Sequence, residues 1–142
     1  MEAISPLAIF GAIALALGSL IVMAFLKGRT REAFVLSQLG VMVGIYIGFA
    51  LGGVSSPEKI DAQSAHFLLI ENFAMLGFLF AGLFAFARAP RFLGVIILLH
   101  GGFDAGHLFL EQSPAPSWYA VSCIIYDVII GVAAILMLRR IE

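Results

Sequence analysis

The sequence predicts an all-α integral membrane protein, built as one bundle of five transmembrane helices. Hydrophobic residues make up 62% of the 142 residues and charged residues only 12%, and the mean hydropathy is +1.08. Average soluble domains contain roughly 45–50% apolar and about 25% charged residues, and a small domain has too much surface to hide the excess. The apolar residues also fall into five runs, each close to the ~20 residues with which a helix crosses a bilayer.

The five runs define the predicted helices in chain order. They comprise residues 6–26, 34–54, 63–87, 92–111 and 117–138. Inside lipid every backbone N–H and C=O must be hydrogen-bonded within its segment, so such runs predict helices. Short charged or Gly/Pro/Ser-rich segments separate them, as is typical where helices stop. None of these segments is long enough to separate two domains, so residues 1–142 are predicted to form a single transmembrane domain.

The basic residues predict the direction in which the chain crosses the membrane. If the N-terminus is outside, seven of the eight Lys and Arg residues lie on the cytoplasmic side and only Lys59 lies outside. The seven are Lys27, Arg29, Arg31, Arg88, Arg91, Arg139 and Arg140. Because short cytoplasmic loops carry an excess of Lys and Arg, the C-terminus is predicted to be cytoplasmic. Trp118 and Tyr119 are then expected at the outer interface, where aromatic rings with a polar edge are common.

The second run contains four glycines at a regular four-residue spacing: Gly40, Gly44, Gly48 and Gly52. This spacing places them along one face of a helix, here called the glycine stripe. Small residues allow another helix to approach closely, so the stripe predicts a packing surface. The same surface is a candidate for homo-oligomer formation. The alternative is that the stripe lines a substrate path.

Ionisable side chains inside the predicted spans are the strongest functional signal. They are His66 and Glu71 in the third span, His100, Asp104, His107 and Glu111 in the fourth, and Cys123, Tyr126 and Asp127 in the fifth. Ionisable groups in a bilayer are costly and usually mark functional sites in the bundle interior. No Lys or Arg lies at the same depth. The carboxylates must therefore be protonated, hydrogen-bonded, paired with imidazolium or bound to a metal.

The first interpretation is a divalent metal site for zinc, iron or manganese, because imidazole and carboxylate together suit these ions. The candidate ligands are Glu71, His100, Asp104, His107 and Asp127. His100 and His107 lie about 10 Å apart along a helix axis. We therefore expect Asp104 and one histidine to bind the ion, with Glu71 or Asp127 completing the site and the other histidine orienting a ligand.

Three other interpretations of these polar residues stay open. They are a proton or ion pathway, a hydrogen-bonded network that only fixes helix packing, and a haem or quinone site. Cys123 would shift the metal preference towards zinc or copper as a ligand, but a lone buried cysteine usually serves as a small packing residue. His66 is close to a span end and fits an interfacial side chain that reaches towards water. Glu111, at another span end, is expected to be solvated.

The function that these residues predict is a small metal-dependent membrane enzyme that acts on a lipid or isoprenoid-like substrate. Its catalytic residues would be Glu71, Asp104 and Asp127. A metal ion can turn water into a nucleophile near neutral pH, and carboxylate–imidazole pairs can transfer protons without one. The alternative is a non-enzymatic protein that binds or transports ions or protons, or an accessory subunit of a membrane complex. The partner is the lipid bilayer, and the net charge of −1 argues against nucleic acid.

The stretch LLHGGFDAGHLF, followed by Pro116, Trp118, Tyr119, Cys123 and Asp127, resembles a family of small bacterial integral-membrane proteins of unknown function. That family has a similar Leu-His-x-Gly-x-Asp motif with a following histidine, a Pro/aromatic turn and a Cys-x-x-x-Asp ending. The resemblance covers about the C-terminal third, and Glu71 in IENFAML is similar too. The chain has Leu108 where a further histidine is expected. The resemblance implies a multi-pass protein of a bacterial cytoplasmic membrane.

Overall fold

The computed structural model describes residues 5–52, 62–110 and 115–138, and these ranges are helical almost throughout. They contain five α-helices: α1 Pro6–Phe25, α2 Gly28–Gly52, α3 Ala62–Arg88, α4 Leu93–Leu110 and α5 Ser117–Leu138. A single 3-10 turn, Pro90–Phe92, joins α3 to α4. Within the described ranges there is no β-strand. The predicted all-α class is therefore confirmed.

Four stretches are long and apolar enough to cross a membrane: Pro6–Phe25, Gly28–Gly52, Leu68–Arg88 and Ser117–Leu138. At 1.5 Å per residue, a helix of about 20 residues spans the ~30 Å hydrocarbon core. Large apolar side chains such as Phe10, Phe25 and Phe73 are at least 70% exposed, which in water would be unfavourable. The chain is therefore a multi-pass membrane protein. α4 is not among the four stretches in the described part of the chain, so the fifth crossing stays a prediction.

The structure corrects the start of the second helix, which begins at Gly28 and not at residue 34. The segment between the first two predicted spans is therefore shorter than expected. Its charged residues lie in the first turns of α2. Gly28 has φ +52°, a left-handed conformation that glycine adopts at no steric cost and that lets the chain reverse. The Arg31 Nε then donates to the carbonyl oxygens of Met23 at 2.9 Å and Leu26 at 2.8 Å. These bonds satisfy carbonyl groups that the end of α1 leaves without helical partners.

The bounds of α1, α3, α4 and α5 agree with the predicted spans to within one residue at each end. The predicted residues 53 and 54 of the second span lie outside the described residues. Contacts between helix ends define the two ends of the bundle. At the N-terminal end, where α1 and α5 begin, Ser122 donates to the Ala8 carbonyl at 3.4 Å. At the opposite end, Arg29 on α2 donates to the Phe86 carbonyl of α3 at 2.6 Å. Arg29 also pairs with the buried Glu32 at 2.8 Å.

The glycine stripe does not pack against another helix of this chain. A Cβ added at Gly40, Gly44, Gly48 or Gly52 would meet no atom of the described chain within 4 Å. The prediction of an intrachain packing face is therefore wrong. The spacing of the glycines shows only that another helix could approach this face closely. The core is filled instead by larger side chains of α2, such as Leu39 and Tyr46. The predicted homo-oligomer contact through this face stays a prediction.

The close helix contact lies instead between α4 and α5. A Cβ added at Gly131 would lie 2.9 Å from the Gly94 carbonyl oxygen and 2.7 Å from the Leu98 Cγ. A Cβ added at Gly101 would lie 2.9 Å from the Asp127 Cβ. Because these three positions lack side chains, the two backbones can approach one another. This contact brings the polar residues of α4 and α5 together.

Candidate metal centre

The candidate metal centre consists of His100, Asp104 and Asp127, which meet between α4 and α5. His100 and Asp104 are one helical turn apart on α4, and Asp127 lies across from them beside Gly101. Their exposed fractions are 0%, 1% and 0%. The prediction that these side chains face the bundle interior is confirmed. The same holds for Glu71 at 4% and His107 at 7% exposed.

The geometry of the three residues is compatible with one ion. The His100 Nδ1 lies 2.8 Å from the Asp127 Oδ2 and 3.7 Å from the Asp104 Oδ2. One donor atom from each residue can be chosen so that all three lie within 4.8 Å of one another. Two atoms that bind the same zinc ion at ~2.0–2.2 Å can be at most about 4.4 Å apart. Both measured separations from the His100 Nδ1 are shorter than this.

Four atoms of this cluster have no hydrogen-bond partner in the described part of the chain. They are the His100 Nε2, both carboxylate oxygens of Asp104, and the Asp127 Oδ1. The Cys123 thiol lies beside Asp104, but it completes no hydrogen bond with either of its oxygens. Buried polar groups without partners are rare because losing their contact with water costs free energy. A bound ion would use the carboxylate lone pairs among these atoms.

The charge of the cluster also fits a divalent cation. Among the described residues, no Lys or Arg forms an ion pair with His100, Asp104 or Asp127. A neutral imidazole with two ionised carboxylates carries a charge of −2, which a divalent cation neutralises. Two bound protons neutralise it equally. Because a net charge is costly at low dielectric, the cluster must hold one or the other.

Glu71 and His107 belong to a separate group, which also includes Tyr46 on α2. The His107 Nε2 lies 2.9 Å from the Glu71 Oε1, and the Tyr46 hydroxyl donates to the Glu71 Oε2 at 2.9 Å. The His107 Nδ1 lies 3.0 Å from the Phe103 carbonyl oxygen, which can only accept, so this nitrogen carries its proton. One further proton is then shared between the His107 Nε2 and Glu71. Every polar atom of these two side chains has a partner.

Sequence reasoning did not identify Tyr46 as part of this group. The sequence feature that could have identified Tyr46 is its hydroxyl group, because a buried tyrosine in an apolar span needs a hydrogen-bond partner. Which acid it would meet depends on how α2 packs against α3. The structure thus divides the five predicted ligands into one cluster of three with unpartnered atoms and one pair with complete hydrogen bonding.

A third polar group lies between α1, α2 and α5. The Tyr126 hydroxyl donates to the Gln38 Oε1 at 2.5 Å and lies 2.7 Å from the Ser19 Oγ. Ser19 and Gln38 were not among the predicted site residues. Each is a polar side chain in a predicted span without charged residues, and that was the signal that could have found them. We call Ser19, Gln38 and Tyr126 the polar trio.

The polar trio lines a cavity of about 510 Å³ between α1, α2 and α5. The rest of its lining is almost entirely apolar and includes Ala12, Met42 and Phe49. Tyr119 and Cys123 form part of its buried wall. Tyr119 lies beside Cys123, and the Cys123 thiol lies beside Asp104. The cavity therefore reaches to within one side chain of the candidate metal centre.

Several other predicted positions are placed differently or lie outside the described residues. Trp118 is 47% exposed, as expected for an interfacial ring, but Tyr119 is only 9% exposed. Its ring packs against Phe49 at 4.9 Å and its hydroxyl donates to the Met42 carbonyl, so it points into the bundle. His66 is exposed near the start of α3. Outside the described residues are Lys59, Glu111, Arg139 and Arg140.

Comparison with known proteins gives no relative for this chain: no protein-family model, no curated protein and no solved structure matches it. The resemblance of the C-terminal motif to a bacterial membrane family stays a prediction. The function must therefore be argued from the site.

Proposed function

We propose that the protein is a metal-dependent enzyme of a bacterial cytoplasmic membrane, with five crossings and its N-terminus outside. The observation that carries this proposal is the cluster of His100, Asp104 and Asp127. These three side chains are at most 1% exposed, and they converge with four unpartnered polar atoms. Ionisable groups inside membrane-spanning helices usually mark functional sites.

The donor set favours zinc, iron or manganese. One imidazole and two carboxylates are the ligands that these ions share. A divalent ion in such a site supplies Lewis acidity and activates water. The chain itself holds and orients the donors. Asp127 and Asp104 place carboxylate oxygens 2.8 Å and 3.7 Å from the His100 Nδ1, and both oxygens of Asp104 are free.

Glu71 has a different role in this proposal from the one that its position in the sequence suggested. With His107 it shares one proton in a pair held by Tyr46. Such a pair can accept or release that proton during a reaction, which is general acid–base chemistry. Its lone pairs are already used within the pair, so we assign the metal to the other cluster.

The neighbouring cavity supports an apolar substrate. Its walls consist mainly of aliphatic and aromatic side chains, and its volume of about 510 Å³ lies in the range of small-molecule sites. In a membrane such a cavity is filled by hydrocarbon. A lipid or isoprenoid-like molecule would therefore bind beside the metal centre.

The decisive test is the metal content of the purified protein. Wild type, Asp104→Asn and the matched control Glu32→Gln are purified without chelator, and then reloaded with zinc, iron or manganese. Glu32 is also a buried carboxylate, but it pairs with Arg29 at the opposite end of the bundle. We expect about one ion per chain for wild type and Glu32→Gln, and a loss of most of it for Asp104→Asn, because a ligand carboxylate is removed. Wild type without metal above background would refute the proposal.

A proton pathway is the second candidate, and one observation favours it. Two histidines of α4 each pair with a carboxylate of another helix, His100 with Asp127 on α5 and His107 with Glu71 on α3. Chains of such groups carry protons in membrane transporters. The test is proton flux across liposomes that contain wild type or His107→Gln. A flux that wild type supports and His107→Gln abolishes, in protein free of metal, would favour this candidate over the enzyme.

A further inference from the structure

We propose that the cavity between α1, α2 and α5 binds a neutral lipid with one small polar head, such as a long-chain alcohol, and that this lipid is the substrate class. This proposal extends the function proposed above, and it depends on that function only in calling the bound lipid a substrate. Binding itself depends only on the cavity. Four features carry the argument: the open side of the cavity, its polar trio, its lack of charge, and its contact with the metal centre.

The cavity opens sideways towards the surrounding lipid. α1 packs mainly on α5 and makes few contacts with α2. The gap between α1 and α2 is lined by Leu15 on α1 and by Val41 and Ile45 on α2. These side chains are 69%, 57% and 44% exposed. In a bilayer these side chains face acyl chains and not water. A ligand therefore enters from the membrane, and an apolar body is required.

The polar trio is suited to one hydroxyl or carbonyl group. Tyr126 and Ser19 both direct hydrogen bonds towards the Gln38 Oε1. Within the described part of the chain, the Gln38 amide nitrogen makes one long contact of 3.4 Å with the Ser37 Oγ, so it has a further N–H to donate. The hydroxyl oxygens of the trio keep lone pairs that can accept. A ligand head that both donates and accepts, such as an alcohol, satisfies these groups.

Charged head groups do not fit this cavity. Among the described residues that line it, none is Lys, Arg, Asp, Glu or His. A phosphate, carboxylate or ammonium group would lose its hydration without gaining an ion pair, and this is strongly unfavourable in a membrane interior. The ligand is therefore a neutral amphiphile and not a phospholipid held by its head group.

The cavity places the bound lipid beside the candidate metal centre. Tyr126 directly precedes Asp127, and Cys123 lies about one helical turn from the trio. Cys123 lies beside Asp104. When the head group binds to the trio, the carbon atoms next to it lie level with the wall that separates the cavity from Asp104.

Photolabelling of the full chain in phosphatidylcholine nanodiscs tests the proposal. The probe is hexadecanol that carries a photoreactive diazirine, with unlabelled hexadecanol, hexadecane and hexadecyl phosphate as competitors. We expect labelled peptides from α1, α2 and α5, and hexadecanol as the strongest competitor. Tyr126→Phe and Gln38→Leu should each reduce labelling about two- to tenfold, because each removes one hydrogen bond to the head group. Melting temperatures identify any variant that fails to fold.

A glycine pair provides the matched control. Gly11 lines the cavity and Gly18 lies on the same helix outside it, and an added Cβ meets nothing within 4 Å at either position. Gly11→Leu should block labelling, whereas Gly18→Leu should leave it unchanged. Equal competition by hexadecane would show an ordinary acyl-chain groove and overturn the proposal. Stronger competition by hexadecyl phosphate would overturn the neutral head group.

The experiment also separates this proposal from the metal proposal. Labelling is measured on wild type before and after metal loading, and on Asp104→Asn. Selective labelling of a protein that never binds metal would uphold the lipid site and refute the metal-dependent enzyme. Metal binding without selective labelling would overturn the lipid class and leave the metal centre standing.

Discussion

His100 and His107 show how the same residue type serves two purposes on one helix. Each imidazole contacts a carboxylate, at 2.8 Å from Asp127 and 2.9 Å from Glu71. His107 has partners at both nitrogens, and Glu71 has partners at both oxygens. His100 keeps one free nitrogen, and its neighbour Asp104 keeps two free oxygens. The difference in hydrogen bonding, and not in residue type, separates a packing network from a candidate ligand site.

Replacing Glu71 should therefore affect stability and not metal binding. In Glu71→Leu the His107 Nε2 loses its partner and the Tyr46 hydroxyl loses its hydrogen bond to Glu71, which should lower the free energy of unfolding by about 2 kcal/mol or more. The metal content should equal that of wild type. Asp127→Asn is the matched comparison, and it should lose metal with a smaller effect on stability. Loss of metal in Glu71→Leu would show that Glu71 is a ligand after all.

Metal binding should release protons from the cluster. Without metal, two protons neutralise His100, Asp104 and Asp127, and a divalent ion must displace them because only deprotonated donors bind it. We expect about two protons released per ion and weaker binding as the pH falls. Calorimetric titration in buffers of different ionisation enthalpy measures this number. No proton release would indicate that the ion binds elsewhere.

At the scale of the helix, glycines have different roles according to what lies opposite them. Gly94 and Gly131 sit at the contact of α4 with α5, where an added Cβ would meet backbone of the other helix. The glycine stripe of α2 faces no atom of the described chain within 4 Å. The contact between α4 and α5 also sets the distance of Asp127 from His100, so packing and site geometry depend on the same surface.

Gly131→Ala should destabilise the bundle. Its Cβ would lie 2.9 Å from the Gly94 carbonyl oxygen, and overpacking of this kind costs about 1–3 kcal/mol. Gly18→Ala is the control, because its Cβ meets nothing within 4 Å and alanine favours a helix over glycine. Melting temperatures in detergent compare the two. A Gly131→Ala protein as stable as Gly18→Ala would show that the two helices separate easily.

Gly44→Leu tests the predicted homo-oligomer through the glycine stripe. The added side chain should leave the melting temperature of the monomer unchanged, because nothing of the described chain lies within 4 Å of the new Cβ. If a second copy packs on the stripe, the substitution should shift the oligomer towards monomer. Size-exclusion chromatography with light scattering measures the mass. An unchanged oligomer mass would place any such interface elsewhere.

For the whole molecule, the arrangement of apolar and polar residues is the reverse of that in a soluble protein. Large apolar side chains cover the outside, whereas six Asp, Glu and His residues of the described chain are buried: Glu32, Glu71, His100, Asp104, His107 and Asp127. Lipid favours this arrangement because apolar side chains can contact acyl chains without a cost in free energy, whereas polar groups must find hydrogen-bond partners inside the bundle. The predicted orientation rests on the distribution of basic residues and on the predicted crossing of α4.

Cysteine labelling of intact cells tests the topology. With Cys123→Ala as background, single thiols are placed at Ser56 and Arg139. Five crossings with the N-terminus outside predict labelling of position 56 and none of position 139 from outside. If α4 does not cross, position 139 would be outside and would be labelled. The same reagent after permeabilisation serves as the control for reactivity.

The sequence by itself determined that this protein lies in lipid, that it is all-helical, and where most of its helices begin and end. These depend on composition and on runs of apolar residues, which are local properties. The sequence also identified Glu71, His100, Asp104, His107 and Asp127 as ionisable residues inside the spans, because their cost in lipid depends on residue type and depth. It placed the buried Glu32 outside the spans. The start of α2 was misplaced because Gly28 and Arg31 allow a charged turn to be helical, and apolar content does not reveal this.

Only the tertiary structure decided which of the buried residues meet. Helical spacing places His100, Asp104 and His107 on one face of a helix. It does not tell whether Glu71 or Asp127 joins them as the further metal ligand. The approach of α4 to α5 at three glycines brings Asp127 to His100, and the packing of α2 and α3 brings Tyr46 and Glu71 to His107. These pairings depend on distances between helices, and residue spacing along one helix carries no information about those distances.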